Sequence, residues 1–436
     1  MGRTLSEIQS LIEENDIKFI RLSFCDIFGV QKNIAIMANQ LKHASESGIS
    51  FDASAIEGFT NVAESDLFLF PDLDTFTMLP WRPQQDSVAR VFCNIKYPDG
   101  RIFEGDGRHL LASIERKAFS KGYSFLVGPE CEFYLFETDE DGWPTKKPFD
   151  RAGYFDMAPM DRGENIRRQI CLTLENMGIQ PERSHHEHGP GQNEIDFRCS
   201  SPLRAADDLM ALKTAIKAVS SQNGLFASFL PKPFERESGS GLHINLSIFE
   251  NGENLFRGFA EKPDPKASSF IAGILRRIRD IAVFSNPLPG SYQRIGRCEA
   301  PSKISWSCQN RSSLVRVPAA KDMDSRMELR NPDPSCNPYY LIYLLLAAGF
   351  EGIEAGLELG KPADLNLFES TSAEYESLPR SLREAVEMAR SSEFLHQMLP
   401  ERVLEDYLRN KEEEAVAYSA SEDAYEYEME RYFPSV

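Results

Sequence analysis

The chain has 436 residues, of which 42% are hydrophobic and 26% charged, and it carries a formal net charge of −19. This length accommodates two or three domains with their own cores, and the composition is that of an ordinary globular protein. The negative balance argues against nucleic acid or an anionic membrane as the main partner, so any anionic ligand requires a local basic pocket. The longest apolar run, "YYLIYLLLAAGF" (339–350), is too short to span a bilayer and suits a buried helix. The opening "MGRTLSEIQSLIEEN" lacks the basic-then-apolar pattern of a secretory signal. Cys25, Cys93, Cys131, Cys171, Cys199, Cys298, Cys308 and Cys336 show no CxxC spacing, which is the usage of reduced thiols in a cytoplasmic protein.

In chain order, "SEIQSLIEEN" predicts a short helix, and "KFIRLSFCDIFG" and "KNIAIM" predict strands. Mixed structure continues through "LFLFPDLDTFTMLP" and "ARVFCNIKYPDG", and "EGDGR" (104–108) breaks the pattern. A domain boundary is expected near 105, dividing the chain into 1–105 and 106–436. Beyond it, helices such as "RHLLASIERKAFSKG" alternate with strands, the signature of an α+β domain. The polar, turn-rich stretch 139–153 reads as a covering loop. The C-terminal stretch from "LPERVLEDY" onward reads as two acidic surface helices.

The informative segment is "GPECEFYLF" (128–136). Strand alternation sends Glu130, Glu132, Tyr134 and Phe136 to one face and Cys131, Phe133 and Leu135 to the other. Two carboxylates then sit about 7 Å apart on one face, two strand rises, and repel unless a cation or proton lies nearby. Three further segments behave alike. "GQNEIDF" presents Glu194 and Asp196, "GLHINLSIF" presents His243, Asn245 and Ser247, and "SRMELR" presents Arg326, Glu328 and Arg330, each with apolar residues behind. A solvent-facing strand alternates similarly, but would mix Lys, Thr and Glu. Strands offering mainly Glu, His and Arg point to a sheet lining a polar cavity.

"SHHEHGPGQNE" adds Glu187 on a Gly-Pro turn. Its histidines invite zinc, yet neither the HExxH helix nor a Cys/His spacing is present. Glu130, Glu132, Glu187, Glu194, His243 and Glu328 form an oxygen-rich donor set suited to Mg²⁺ or Mn²⁺. Positive charge collects between 294 and 330, in Arg294, Arg297, Lys303, Arg311, Arg316, Lys321, Arg326 and Arg330. Guanidinium groups bind phosphate and carboxylate bidentately, and metal with arginines implies phosphoryl transfer. No P-loop or kinase glycine-rich motif accompanies them.

Eight motifs in order, from "FDASAIEGF" (51–59) and "ESDLFLFPDLDTF" through "GPECEFYLF", "GYFDMAPMD", "SHHEHGPGQNE", "GSGLHINLS" and "EAPSKISW" to "RMELRNPDPSCNPY", resemble the glutamine synthetase family from end to end. The chain is most similar to the class I type in its short bacterial form without an adenylylation site. The resemblance implies a small N-terminal β-grasp domain and a large C-terminal catalytic domain, an antiparallel sheet funnel with helices. It also implies a homo-oligomer, a dodecamer of two hexameric rings with active sites at subunit interfaces. Its implied reaction joins ammonia to the γ-carboxylate of L-glutamate through γ-glutamyl phosphate, with ATP as co-substrate and two or three Mg²⁺ or Mn²⁺ per site. Carried over by residue, Glu132, Glu187 and Glu194 would hold one metal, and Glu130, His243 and Glu328 the nucleotide's metal. Arg294, Arg330, Tyr154 and the Gly239 backbone would bind substrate. Glu182, Asn245, Ser247, Arg316 and Arg326 would contact ATP. Asp52 of a neighbouring subunit, Glu299 on a closing flap and Arg311 would be catalytic.

Departures from the family pattern concentrate around the amine and the flap. Ala55 stands where many members have a serine beside the ammonium, which opens the alternative of a glutamate–amine ligase using a polyamine, ethanolamine or methylamine. Gly290 replaces a common asparagine in a flap segment one residue shorter than usual, Asn245 a common histidine, and Ser238 a common asparagine. Phe368 occupies the adenylylation tyrosine's position, and Asn61 that of an arginine linked to glutamine feedback. An inactive structural or regulatory homologue is the remaining alternative, and it would be expected to lose metal glutamates or arginines that this chain keeps.

Overall fold

Helix α1 (Leu5–Glu14) begins the computed structural model, which describes residues 2–82, 85–369 and 374–436. Its N-terminus is closed by a reciprocal capping box between Thr4 and Glu7. Strands β1 (Ile17–Cys25) and β2 (Gln31–Met37) form an antiparallel hairpin. Helix α2 (Leu41–Ser47) and strands β3 (Ile49–Asp52), β4 (Asp66–Pro71), β5 (Thr77–Met78) and β6 (Ser87–Lys96) follow. These strands make one sheet in the order β2-β1-β6-β4-β3, with β5 beside β6 and β1 running parallel to β6. Ile20, Leu22 and Phe24 are buried along one face of β1, and α2 packs against β4. This is the expected β-grasp arrangement.

Helix α3 (Gly107–Ser120) starts the larger unit, and its N-cap joins the two. Asp106 accepts the His109 N–H at 3.1 Å as a cap and the Ile95 N–H of β6 at 2.9 Å. Arg108 reinforces the seam, donating to Asp207, to Asp72 at 2.7 Å and to Asn94 at 3.0 Å while only 6% exposed. In order come β7 (Tyr123–Thr138), β8 (Pro144–Pro148), α4 (Glu164–Asn176), β9 (Pro181–His186), β10 (Gln192–Phe197), α5 (Pro202–Gln222), β11 (Leu225–Ser228), β12 (Leu242–Glu250) and β13 (Glu253–Asn254). Then follow α6 (Pro265–Ser285), α7 (Pro289–Arg294), β14 (Trp306–Cys308), β15 (Val315–Val317), β16 (Met327–Leu329), α8 (Pro338–Ala355), α9 (Leu382–Arg390), α10 (Glu393–Met398), α11 (Glu401–Ala420) and α12 (Ala424–Arg431).

The second sheet runs β14-β15-β16-β12-β7-β10-β9, antiparallel throughout this path except between β14 and β15. The apolar run 339–350 lies in α8, which packs along α6 in the core. On β7, Cys131, Phe133 and Leu135 enter the main core, as alternation requires. Tyr134 and Phe136, on the opposite face with the two glutamates, join a second apolar cluster with Leu230, Leu288, Met429, Tyr432 and Phe433. One strand face thus passes from an acidic chamber to an apolar plug built by the C-terminal helix.

Two expectations change. The stretch 139–153 is not only loop, since β8 lies within it and pairs with β7. The C-terminal helices are present, but they are not simply solvated: Tyr407, Lys411, Glu414 and Glu428 are buried. Glu428 of α12 packs so closely on α7 that a Cβ at Gly290 would meet its carboxylate at 2.6 Å. The glycine makes room for the acid, and α7 leads directly to Arg294.

Burial pushes the Glu428 carboxyl up to about 7 against the pull of the Gly290 N–H, and its Oε1 makes no hydrogen bond. The folded state therefore holds a proton that the unfolded chain, near 4.5, has released. Stability from this group is complete below that value and is lost as pH rises to about 7. Glu428→Gln is expected to leave the unfolding free energy near that of the parent at pH 5 and to raise it at pH 8, by up to about 3 kcal/mol; thermal unfolding at both pH values measures this as an upward shift of the midpoint at pH 8 alone.

Candidate active site

Strands β7, β10, β12 and β16 present their polar faces to a cavity of ≈ 830 Å³. Lining it are Glu130, Glu132, Glu187, Glu194, His243 and Glu328, together with Arg294, Arg311, Arg316, Arg326 and Arg330. Strand register explains the convergence. Glu132 pairs with Glu194 across β7 and β10, Glu130 with His243 across β7 and β12, and Glu328 lies beside Asn245 across β16 and β12. Directly opposed residues on neighbouring strands project to the same face.

Two compact donor groups result: Glu130, His243 and Glu328, and His185, Glu187 and Glu194, each with one ligand atom per residue all within 4.8 Å of one another. In the first, His243 Nδ1 is 3.3 Å from Glu130 and 3.7 Å from Glu328. In the second, His185 Nε2 is 2.8 Å from Glu187 and 3.9 Å from Glu194. Glu132 adjoins the second group, its Oε2 accepting the Gly241 N–H at 2.9 Å and the Gln192 amide at 2.8 Å. Mixed carboxylate and imidazole donors fit a divalent cation of the Mg²⁺ or Mn²⁺ kind.

Electrostatics divide the acidic wall into two kinds. Burial opposes ionisation of Glu130, but hydrogen bonds from His243 and Asn245 outweigh it and hold the group down at about 2. Burial is likewise overcome at Glu328 by Arg330 and His243, and at Glu187 by His185. Glu194 is instead pushed well above the carboxylate range by burial and by the charges of Asp196 and Glu132. Glu132 and Asp196 are raised too, first by burial and then by Glu187 and Glu130 respectively.

The arginine wall is anchored to backbone and to acid. Arg294, 3% exposed, donates to the Asn331 carbonyl at 2.7 Å. Arg316 and Arg330 each donate to one oxygen of Glu328 at 2.6 Å. Gly239 is a glycine of necessity, since a Cβ there would meet the Pro231 carbonyl at 2.3 Å. Glu299 stands exposed at the chamber mouth in the short loop after α7, with Cys298 and Glu299 both in the left-handed region at φ 44° and 66°. Tyr154 lines the chamber stacked on Phe155, ring centroids 3.9 Å apart.

Some expected residues lie elsewhere. Asn245 sits beneath the wall, donating to Glu130 at 2.9 Å and accepting from Arg326 Nε at 2.8 Å. Ser247 is buried and donates to the Ser325 carbonyl, and Glu182 is exposed on β9. Asp52, at the end of β3, lies outside this chamber within a single chain and accepts the Ser54 hydroxyl at 2.6 Å. Cys298 also lines the chamber, one of the thiols to which the sequence assigned no role. Asp196, placed by the sequence on the cavity face but given no role, lines the chamber, as do His185, Arg183, Gln192 and Phe155, to which the sequence likewise assigned none. His185 was visible beside Glu187, and Asp196 shares the Glu194 face.

Family profiles match both parts of the chain: the glutamine synthetase β-grasp domain over residues 16–98 and the glutamine synthetase catalytic domain over 104–432. The chain belongs to the glutamine synthetase family. It is 45% identical to the glutamine synthetase of Clostridium saccharobutylicum, covering 98% of each chain. Identity to the glutamine synthetase of Methanosarcina mazei is 43%, covering 98% of this chain and 97% of that one. Among solved structures, a GmaS–ADP complex superposes with a TM-score of 0.87 at 30% identity, covering 97% of this chain and 98% of that one. Plasmodium falciparum glutamine synthetase shares the fold, with a TM-score of 0.86 at 23% identity and coverage of 98% and 99%.

Because burial and neighbouring charge raise Glu194, Glu132 and Asp196 and so favour their protonated forms, Mn²⁺ binding is expected to release protons and to tighten as pH rises. Calorimetry in buffers of different ionisation enthalpy measures the release. Glu194→Gln should weaken binding by at least about 10-fold, the lower end of what losing an outer partner costs.

Proposed function

We propose that the protein catalyses ATP-dependent ligation of ammonia to the γ-carboxylate of L-glutamate, forming glutamine through γ-glutamyl phosphate. The observation that carries this reading is a single chamber lined both by acids grouped closely enough to bind cations and by five arginines, of which Arg294 and Arg330 are buried. A carboxylate is a poor electrophile, and transferring phosphate to it requires both reactants' negative charges to be neutralised at close range. Bound Mg²⁺ or Mn²⁺, held by Glu130, His243 and Glu328 and by Glu132, Glu187 and Glu194, would supply that neutralisation, with two or three ions per site.

In this reading Arg294 and Arg330, with Tyr154 and the Gly239 backbone, hold and orient glutamate. Arg316 and Arg326 face the ATP phosphates, with Glu182, Asn245 and Ser247 along the nucleotide, while Arg311 acts on the transferring group. A γ-carboxylate oxygen attacks the terminal phosphorus and ADP leaves. The amine nitrogen then adds to the acyl carbon, phosphate departs, and Asp52 of a neighbouring copy takes the proton. Glu299 closes the mouth and excludes water. A dodecamer of two hexameric rings, the class I short form, a division into 1–105 and 106–436 and a cytoplasmic location belong to the same proposal. Among the described residues no helix is long and apolar enough to cross a membrane.

Ala55, exposed three residues beyond Asp52, favours a second reading in which a larger amine replaces ammonia. Phosphate release dependent on ATP and glutamate, measured with ammonium, methylamine, ethanolamine and putrescine, separates the two. Ammonium is expected to support the highest kcat/KM, and absence of turnover at millimolar ammonium overturns the first reading. Glu328→Ala should remove nearly all turnover; retention of parental activity would instead indicate that this chamber is not catalytic.

A further inference from the structure

Arg90, on β6, is a buried cation without a partner. It is 8% exposed, its Nε and Nη1 are sealed and make no hydrogen bond, and among the described residues no carboxylate lies within 4.0 Å of it. Its guanidinium rests 4.0 Å from the centre of the Phe92 ring. The nearest acids are engaged elsewhere. Asp207 accepts from Arg108 at 2.8 Å and from the Tyr339 hydroxyl at 2.7 Å, and Asp208 accepts from Arg204 at 2.8 Å. Burial draws Arg90 down to about 10, which leaves it charged at neutral pH. A buried unpaired charge is among the costliest arrangements in a folded protein, and one aromatic face offsets little of it.

Arg90 lines a cavity of ≈ 450 Å³ at the seam between the two units, sharing no residue with the lining of the large chamber. Arg3 from the N-terminal segment and Arg204 from α5 line it as well, with Asp74 and Glu175 also on its wall. Arg3 is steadied by a 2.7 Å bond from Nη1 to the Phe76 carbonyl, and Arg204 by its bond to Asp208, so both keep donors to spare. Thr77 spans the seam, its hydroxyl donating to the Met177 carbonyl at 3.2 Å.

We propose that this seam cavity binds a small organic anion, a molecule carrying carboxylate or phosphate groups, with Arg90 as the buried counter-charge and Arg3 and Arg204 as flanking donors. The pocket size suits a metabolite-sized ligand, and guanidinium groups match both anion types. Because the walls come from both units, an occupant clasps the β-grasp sheet to the catalytic unit. The proposal assumes nothing about the reaction in the large chamber.

Thermal unfolding of the full-length protein, titrated separately with succinate and with inorganic phosphate, tests it. In the parent protein at least one of the two is expected to raise the midpoint saturably, by about 1–3 °C; which one does so assigns the carboxylate or the phosphate class. Arg90→Met should lose that increment, and Arg3→Ala, at an exposed position, should shift the titration several-fold to higher concentration. Phosphate entering the large chamber contributes equally to all three proteins and cancels in the comparison. Equal shifts in the parent and Arg3→Ala, with Arg90→Met behaving likewise wherever it folds, overturn the proposal, as does no shift from either anion at tens of millimolar.

Discussion

Crowding of like charge on one sheet face is the constraint around which this molecule is organised. Glu130, Glu132, Glu194, Asp196 and Glu328 project from adjacent strands into a single chamber. Left alone, such a wall would repel itself and resist burial. The protein answers in three ways: arginines bridge Glu328, histidines pair with Glu130 and Glu187, and burial with neighbouring charge shifts Glu194 toward its protonated form. Each answer leaves the acids available to a stronger counter-charge. That is the electrostatic state of a site prepared for multivalent cations and their anionic ligands.

Keeping such a wall in register requires rigidity behind and beside it. Behind it, the apolar faces of the same strands are sealed against α5 and α8. Beside it, α12 and the residues that follow it plug the far end of β7 with Met429, Tyr432 and Phe433, and α12 presses Glu428 onto the turn that carries Arg294. The C-terminus is thereby part of the support for the arginine wall. At the seam, Asp106 and Arg108 tie β6 to α3 and α5 through fully engaged hydrogen bonds, whereas Arg90, two turns of the pleat away, has none. The contrast between a satisfied and an unsatisfied arginine in one interface marks where the packing leaves room.

The acidic strands were legible because period two is unambiguous when one face is apolar: Cys131, Phe133 and Leu135 against Glu130 and Glu132 admit only one orientation. The buried helix at 339–350, the opening helix and the first hairpin were legible for similar reasons. Strand β8 was not, since Pro144–Pro148 has neither alternation nor β-branched residues beyond one threonine and is held as a strand by pairing with β7. His185 was set aside with its neighbours because the zinc spacings were absent, although proximity to Glu187 and Glu194 depends on strand pairing and not on spacing. The C-terminal helices looked solvated because their charge is high, although Val403, Leu404, Tyr407 and Leu408 recur at helical spacing and pack into the core.

By itself the sequence determined the opening helix and first hairpin, the buried helix at 339–350, which strand faces carry ionisable groups, the mismatch between a strongly acidic chain and a basic stretch at 294–330, and the family to which its motifs are similar. These follow from local periodicity and composition, which act over a few residues. The tertiary structure alone decided which acids share a chamber, which of them are shifted toward the protonated form, that Glu428 is buried against Gly290, and that Arg90 faces a cavity without a partner. Those outcomes depend on long-range register and desolvation, which arise only when strands distant in the chain are brought side by side and water is removed from between them.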